Sequence, residues 1–288
     1  MAGRVAYHHP KNDRLSIDYV AYSFEEAEDR IDGFDGDEIG VIEEYDLNET
    51  VYVVYKGRKM PEVAEDIEVD IHGEVAEMSQ PDQIITTRIL QLFESIADEK
   101  YEQESERLSA YKEIEVDRIP EAMDRVTWTE SVPASGGELL SCLILRHALP
   151  NANHRTSLAM LSLYYQAISE SFEMPTTTTD DYDWSGWVDE YIERSKQLLT
   201  VRRNVPRFTY LSDAGCSVVE RKDGIGIHLE EFDLSIGHWE AMDEYAERHK
   251  RESIEFAHEV LKKAGTPELR DGEPLSKQEF ADHLQGMD

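Results

Sequence analysis

The chain has 288 residues, of which 62 are Asp or Glu and 29 are Lys or Arg, so its formal net charge at pH 7 is −33. This length suits one large domain or two modest ones of about 100–200 residues each. The acids are spread along the whole chain, a pattern typical of proteins kept soluble in a high-salt cytoplasm. Non-specific nucleic-acid binding needs clustered Lys and Arg, so the composition argues against a nucleic-acid partner.

Two cysteines, Cys142 and Cys216, are too few for a disulfide framework and favour a reducing compartment. No apolar run approaches the roughly 20 residues that a membrane-spanning helix needs. The first ten residues contain no apolar signal core. We therefore expect a cytoplasmic protein with no membrane partner.

Residues 1 to about 75 have the composition of short strands. Their β-branched and aromatic runs partly alternate, and Gly, Asn and Asp lie between them. The predicted strands are residues 5–7, 15–22, 51–55 and 67–71. The spacing of Asp35, Asp37 and Gly40 resembles a calcium loop only in part, and an acidic surface turn is favoured. His8 and His9 are adjacent on a strand and should point to opposite faces, which argues against a metal pair.

From Pro81 onward the hydrophobic period becomes helical. Apolar residues at helical spacing predict a helix over residues 84–96 that runs on towards residue 108, and a shorter one over 119–126. Ser135 and Glu138 have capping-box spacing, which predicts that a helix starts just before Leu139. Residues 173–183 are typical of an exposed linker.

Beyond the linker, Trp184 to Leu198 is predicted to be an amphipathic helix, with Trp184 and Trp187 in the core or an interface. Residues 207–230 are predicted to be strands with an Asp-Gly hairpin at Asp223. A charged helix should cover residues 239–264, and Ser276 to Glu279 repeats the capping-box spacing before a terminal helix.

Nine residues, His147 to Arg155, lie between two apolar runs and predict a helix, a tight loop and a second helix. A loop that feeds a helix start presents backbone N–H groups and the positive end of the helix dipole, which favours anions. Arg155 adds a fork that suits phosphate. His147 adds a group that can move a proton near neutral pH.

This stretch resembles the Fic/Doc family, in which a His is followed by an apolar anchor, an acid or amide, a small residue, Asn, and then Arg. The match is to the death-on-curing form and covers residues 138–173. The matching residues are His147, Asn151, Ala152, Asn153, Arg155 and Thr156. The departures are Ala148, Leu149, Pro150 and His154, of which Leu149 keeps the apolar anchor.

The resemblance implies a transferase that moves phosphate or AMP from ATP or another nucleoside triphosphate to a hydroxyl of a target protein. His147 would be the general base. Asn151, Ala152, Asn153, His154 and Arg155 would form the nucleotide and phosphate site, with Asn151 at the position that binds Mg²⁺. The family includes toxins that act on a translation factor. No Glu here is followed by Gly or Asn, as the family's internal inhibitory helix requires, so an external antitoxin is the expected restraint.

The fold class predicted is mainly α: a Fic/Doc-like helical core with a β-rich N-terminal extension and a further α+β C-terminal part. The predicted divisions are residues 1–78, 79–203 and 204–288. An amide at Asn151 is a weaker ligand for a hard cation than a carboxylate, because it brings no charge. The alternative is therefore a catalytically degenerate module on the same fold that binds a nucleotide or a protein.

Overall fold

The computed structural model describes residues 3–59, 71–105, 107–179 and 183–287. The chain divides into two compact units: the first contains Met1–Met60 and Glu193–Ala246, and the second contains Pro61–Ile192 and Glu247–Asp288. Neither unit is continuous in sequence, whereas the sequence predicts three consecutive parts. The described residues are mainly α-helical, in agreement with the predicted class. None of their helices is both long and apolar enough to cross a membrane.

The first unit combines two β-sheets with helices. Its sheets have the strand orders β1-β6-β7 and β2-β3-β5-β4. Its strands are β1 (Gly3–Ala6), β2 (His8–His9), β3 (Asn12–Ala21), β4 (Glu38–Asp46), β5 (Thr50–Arg58), β6 (Cys216–Glu220) and β7 (Gly226–His228). Its helices are α1 (Phe24–Asp32), the larger part of α7 (Gly186–Asp213) and the first turns of α8 (His238–Lys263).

Pairing in the three-stranded sheet joins distant parts of the chain. β1 runs parallel to β6, with Val5 opposite Val219, and β6 pairs antiparallel with β7. The turn between β6 and β7 has positive φ at Asp223 (67°) and Gly224 (72°). Two consecutive positive φ angles match the right-handed twist of a hairpin and favour the Asp-Gly pair. The predicted hairpin is therefore confirmed.

Three of the four predicted N-terminal strands are confirmed as β1, β3 and β5. The fourth, residues 67–71, lies outside the described residues except for Ile71, which opens a helix. The sequence did not predict α1, which begins after Ser23, whose Oγ accepts the Glu26 N–H. It also did not predict β4, which occupies most of the calcium-like segment, so the preference against a calcium loop agrees with the fold.

The larger of two apolar clusters in the first unit includes one face of α7. Arg207 to Asp213, predicted as strand, belong to α7, so that prediction is wrong. The apolar residues of this helix continue at steps of three and four, which keeps one face buried past Pro206. The buried α7 residues in this core are Leu198, Val201, Val205, Phe208 and Leu211.

The second unit is helical. It contains α2 (Ile71–Ala76), α3 (Gln80–Glu104), α4 (Arg118–Met123), α5 (Val132–Arg146), α6 (Asn153–Ile168) and α9 (Lys277–Gly286), with the start of α7 and the end of α8. The predicted helices over 84–96 and 119–126 are confirmed as α3 and α4. The predicted capping box is confirmed at α9, where Ser276 Oγ accepts the Glu279 N–H and Glu279 accepts the Ser276 N–H.

The predicted start of α5 at Ser135 is wrong. The helix begins after Ser131, whose Oγ accepts the Ala134 N–H, and a proline lies in its first turn. A proline in the first turn has no N–H of its own to leave unpaired and its fixed φ suits a helix start, which favours this start over one inside the run. The two glycines after Ser135 instead permit close packing: a Cβ on Gly137 would lie 2.5 Å from the Ile254 Cα on α8.

Candidate functional site

The site begins where α5 ends. His147 adopts the left-handed conformation (φ 52°, ψ 49°) and its N–H bonds to the Leu143 carbonyl oxygen at 3.1 Å. This conformation terminates a helix, because the chain turns away from the helical path. Six residues later the chain enters α6 at Asn153. The predicted helix, tight loop and helix are therefore confirmed, with His147 directly after the last helical residue.

Asn153 holds the loop together from inside. It is only 6% exposed. Its Oδ1 accepts the Leu149 N–H at 3.1 Å, and its Nδ2 donates to the carbonyl oxygens of Leu149 at 2.9 Å and Asn151 at 3.3 Å. These hydrogen bonds distinguish the Oδ1 atom of the amide from its Nδ2 atom. The donor Nδ2 therefore faces His147 Nε2, at 3.5 Å, which favours the tautomer with the lone pair on Nε2.

Both polar atoms of the Asn151 side-chain amide make hydrogen bonds that hold the loop. Its Oδ1 accepts the Ala152 N–H at 2.7 Å, and its Nδ2 donates to the Ser109 carbonyl oxygen at 2.9 Å. A carboxylate could keep the first bond but not the second, because it has no donor. Asn151 is the residue that the resemblance assigns to Mg²⁺. Its engaged amide is a poor fit to a metal.

A neighbouring segment clamps the same loop through the backbone. The Tyr111 N–H bonds to the Pro150 carbonyl oxygen at 3.2 Å, and the Glu115 N–H bonds to that of Ala148 at 2.9 Å. Together with the Asn151 bond, these contacts fasten the loop along residues 109–115. Ala148, Leu149 and Pro150 are buried beneath the segment. The loop is thus held in one conformation, as a site that positions reacting groups requires.

The start of α6 carries the cationic side of the site. Ala152 precedes it in the left-handed conformation (φ 53°), and the Thr156 N–H makes a bond to the Ala152 carbonyl oxygen at 3.0 Å. The N–H groups before Thr156 belong to the first turn, where helices bind anions. The guanidinium carbon of Arg155 lies 4.4 Å from the centre of the Trp184 ring. This stacking orients the Arg155 fork.

Other cations surround the end of α5. Arg118 Nη1 donates to the Arg146 carbonyl oxygen at 3.3 Å, where a positive charge favours the negative end of a helix dipole. Acids accompany these cations: Arg118 pairs with Glu115 at 2.6 Å and Arg146 with Glu121 at 2.8 Å. His154 lies half-buried in the first turn of α6. The two arginines at the end of α5 are therefore each balanced by a carboxylate.

Behind the loop there is little space. A cavity of about 10 Å³ lies between α3, α5, α6 and the loop, room for about one water molecule. Its lining is Ile89, Ile119, Leu143, Ala148, Leu149, Asn153, Thr156 and Ser157. A phosphate group would therefore have to bind on the solvent side of the loop, where His147 and Arg155 are half-exposed.

Among the described residues, neither metal ligands nor thiols form a second centre. In the part of the chain that the structure describes, no group of three or more His, Cys, Asp or Glu could hold a metal ion. Both cysteines are buried. Burial, with the Glu138 carboxylate nearby, raises the pKa of the Cys142 thiol to about 12. Cys142 is thus a core residue, as predicted.

Two parts of the site were missed in the sequence. Trp184, predicted as a core or interface residue, stacks on Arg155. Its aromatic character gave a signal, but only the fold could show which cation it meets. Residues 109–115 were not predicted to have any role. Their bonds to the loop use backbone groups, which leave no trace in a pattern of side chains.

A family model matches residues 1–288 and is described as a family of unknown function, DUF8172. The chain belongs to that family. No curated protein and no solved structure matches the chain. The family assignment covers both compact units, so it treats the β-rich parts and the helical parts as one protein.

Proposed function

We propose that the His147 to Arg155 turn is the phosphate-binding and catalytic site of a Fic/Doc-like protein-modifying transferase. The observation that supports this best is the contact between Asn153 Nδ2 and His147 Nε2, 3.5 Å long. It joins the predicted base to the first residue of the helix that would hold phosphate. The residues that match the family motif thus meet around one short loop.

His147 suits the role of base for two reasons. The Asn153 amide can only donate towards Nε2, so the lone pair needed to accept a proton is on that atom. Asn153 Nδ2 has two hydrogens and faces three acceptors, and its distance to Nε2 is the longest of the three. A substrate hydroxyl can therefore replace this contact at little cost.

The reaction proposed is displacement at phosphorus. The oxygen of the target hydroxyl forms a bond to phosphorus, and His147 Nε2 takes the hydroxyl proton. The bond from phosphorus to the leaving oxygen breaks, and the nucleoside diphosphate departs if phosphate is transferred, or pyrophosphate if AMP is transferred. Arg155 and the first-turn N–H groups of α6 would stabilise the charge on the phosphoryl oxygens. ATP or another nucleoside triphosphate is the donor, and Mg²⁺ stays a prediction of the resemblance.

The test is to incubate the pure protein with ATP and the proteins of a lysate at high salt, and to identify modified proteins by mass spectrometry. The added mass separates phosphate from AMP. His147→Ala should abolish labelling. His283→Ala is the matched control, because His283 is exposed on α9, and it should label as the wild type does. Equal labelling by the His147→Ala variant would sink the proposal.

A second candidate, a non-catalytic module that binds a nucleotide or a protein, is favoured by Asn151. Both atoms of its amide serve the loop, as expected where the loop is a structural element. This candidate predicts that ATP binds, or fails to bind, equally in the wild type and His147→Ala, with no protein labelled by either. Calorimetry and the labelling assay on the same two proteins separate the candidates. A toxin role with an antitoxin partner requires the first candidate, the transferase.

A further inference from the structure

Two tyrosines of the first unit form an exposed aromatic pair. Tyr22 follows β3 and is 42% exposed, and Tyr210 lies in the last turn of α7 and is 51% exposed. Their ring centres are 6.0 Å apart with the planes tilted by 57°, and the Tyr22 hydroxyl donates to the Tyr210 carbonyl oxygen at 3.4 Å. Each ring thus contacts the other and still presents part of its surface to solvent. Exposed aromatic residues that adjoin one another are typical of interaction surfaces.

Two carboxylates border the pair. Asp213 is three positions after Tyr210 on α7, so the two side chains lie on the same side of the helix. Glu49 lies in the turn between β4 and β5, and two backbone N–H groups of that turn bond to the Ala214 carbonyl oxygen at 3.0 and 3.3 Å. The turn is therefore fastened directly to the end of α7. Partial burial first, and then the charges of Asp213 and Glu49, raise the pKa of Tyr22, so both acids lie within electrostatic range of its phenol.

These two carboxylates are not neutralised by a cation of the chain. Both are exposed, and neither belongs to an ion pair among the described residues. The cation three positions before Tyr210 on α7 is Arg207, and its guanidinium is engaged. Its Nη2 lies 3.9 Å from the Asp18 carboxylate, and its Nη1 donates to Asn204 Oδ1 at 3.2 Å. The surface therefore combines two aromatic rings with two negative charges that can accept a cation from outside the chain.

This combination selects a planar cation. A guanidinium is weakly hydrated, and it can lie flat on an aromatic ring while its N–H groups reach a carboxylate. The ammonium group of lysine is a strongly hydrated point charge and gains less from the ring. We propose that the tyrosine surface, which consists of Tyr22, Tyr210, Glu49 and Asp213, binds an arginine side chain presented by a segment of a partner protein.

Charge favours a basic partner over a second copy of this chain. Two copies would each bring a net charge of −33 to the contact, and like charges repel. The attraction of a basic segment to the acidic chain as a whole is largely screened at about 1 M salt, where the Debye length is about 3 Å. The contact between a guanidinium and a ring acts at short range and persists in such salt. The tyrosine surface therefore gives a preference for arginine over lysine that overall charge cannot give.

The experiment measures, by fluorescence anisotropy at about 1 M potassium chloride, how tightly the full chain binds a labelled Gly-Arg repeat peptide and a Gly-Lys repeat peptide of equal length and charge. The wild type should bind the arginine peptide about two- to fivefold more tightly. Tyr210→Ser should lose that preference, although it changes no charge. Tyr101→Ser is the matched control: Tyr101 on α3 is also 51% exposed, and Arg107 already lies over its ring at 5.7 Å, so this variant should keep the preference. Equal affinity of the wild type for the two peptides, or an unchanged preference in Tyr210→Ser, would overturn the proposal.

A second pair of variants tests the carboxylates. Asp213→Asn should weaken the binding of both peptides, whereas Asp243→Asn, which removes one exposed acid from α8, should leave it unchanged. Thermal unfolding shows that each variant is folded, and substitutions at exposed positions should change stability little. Sedimentation of the wild type tests the other occupant, because self-association that Tyr210→Ser abolishes would mean that the surface joins two copies and that the proposal is wrong. The assay contains no nucleotide, so its result is independent of the proposed transferase activity.

Discussion

Replacing Asn151 by Asp gives the sharpest test of how the loop is built. The substitution changes one NH₂ group to an oxygen. The Ala152 N–H keeps its acceptor, but the Ser109 carbonyl oxygen, now 2.9 Å from the Asn151 Nδ2, would face a carboxylate oxygen. A lost hydrogen bond with an unsatisfied partner costs about 1–3 kcal/mol. A negative charge at the start of α6 returns about 0.3–1 kcal/mol. We therefore expect a net destabilisation of about 1–2 kcal/mol.

The measurement is the free energy of unfolding in guanidinium chloride, from the midpoint and the slope of the transition. Asn12→Asp is the control, because the Asn12 Oδ1 accepts the Arg14 N–H at 3.2 Å and an aspartate keeps that bond. It should change stability by less than about 0.5 kcal/mol. If Asn151→Asp is as stable as the wild type, the Ser109 bond does not hold the loop and the reasoning fails.

The same variant separates structure from the family resemblance. In the Fic/Doc family, which the loop resembles, a carboxylate at this position is the Mg²⁺ ligand, so the resemblance alone predicts that Asn151→Asp binds Mg²⁺ and nucleotide more tightly. The structure predicts instead that the loss of loop stability, caused by the lost bond to Ser109, is larger than any gain in Mg²⁺ affinity. Calorimetric titration of the variant with ATP, with and without Mg²⁺, measures which effect is larger.

Three further predictions concern packing, capping and pH. Gly137→Ala should destabilise by about 2 kcal/mol or more in denaturant unfolding, because its Cβ would meet the Ile254 backbone at 2.5 Å, whereas Gly186→Ala, with nothing within 4 Å, should not. Ser276→Ala should cost about 1 kcal/mol in the same assay through loss of the α9 capping box. Stability should fall as pH drops from about 6.5 to about 4, because burial in the folded state lowers the pKa of His8 to about 4 and protonation therefore favours unfolding. His8→Phe should remove that part of the pH profile, and an unchanged profile would contradict the assignment to His8.

Local signals in the sequence predicted the elements that depend on neighbours in the chain. The hairpin at Asp223 follows from two residues that tolerate positive φ, and α9 follows from a capping pair. Other local signals gave wrong predictions because a neighbouring residue could start the same helix. Ser135 has the same spacing to an acid as Ser276, but α5 begins after Ser131. Capping spacing thus indicates a helix nearby and does not decide its first residue.

The helix, loop and helix that carry the candidate site were predicted for the same reason. The order His147, loop, Asn153 and Arg155 is a local pattern, and the fold keeps it. The roles inside the loop depend on contacts from far along the chain. Ser109, 42 positions before Asn151, decides that this amide is structural. A sequence shows that Asn stands where a family has an acid, but only the fold shows what the extra hydrogens of the amide do.

Arg155→Lys tests whether shape or charge would hold phosphate at the proposed site. In about 1 M salt the Debye length is about 3 Å, so an exposed charge attracts little beyond contact distance. Under the proposal, phosphate recognition in such salt would depend on directed hydrogen bonds and on the contact of Arg155 with the Trp184 ring, 4.4 Å from its centre. Lysine keeps the charge but loses the planar fork, so the affinity for ATP at this high salt concentration should fall about tenfold. Trp184→Leu should weaken binding in the same direction, because it leaves the fork unoriented. Equal affinity for Arg155→Lys and the wild type would mean that charge alone suffices.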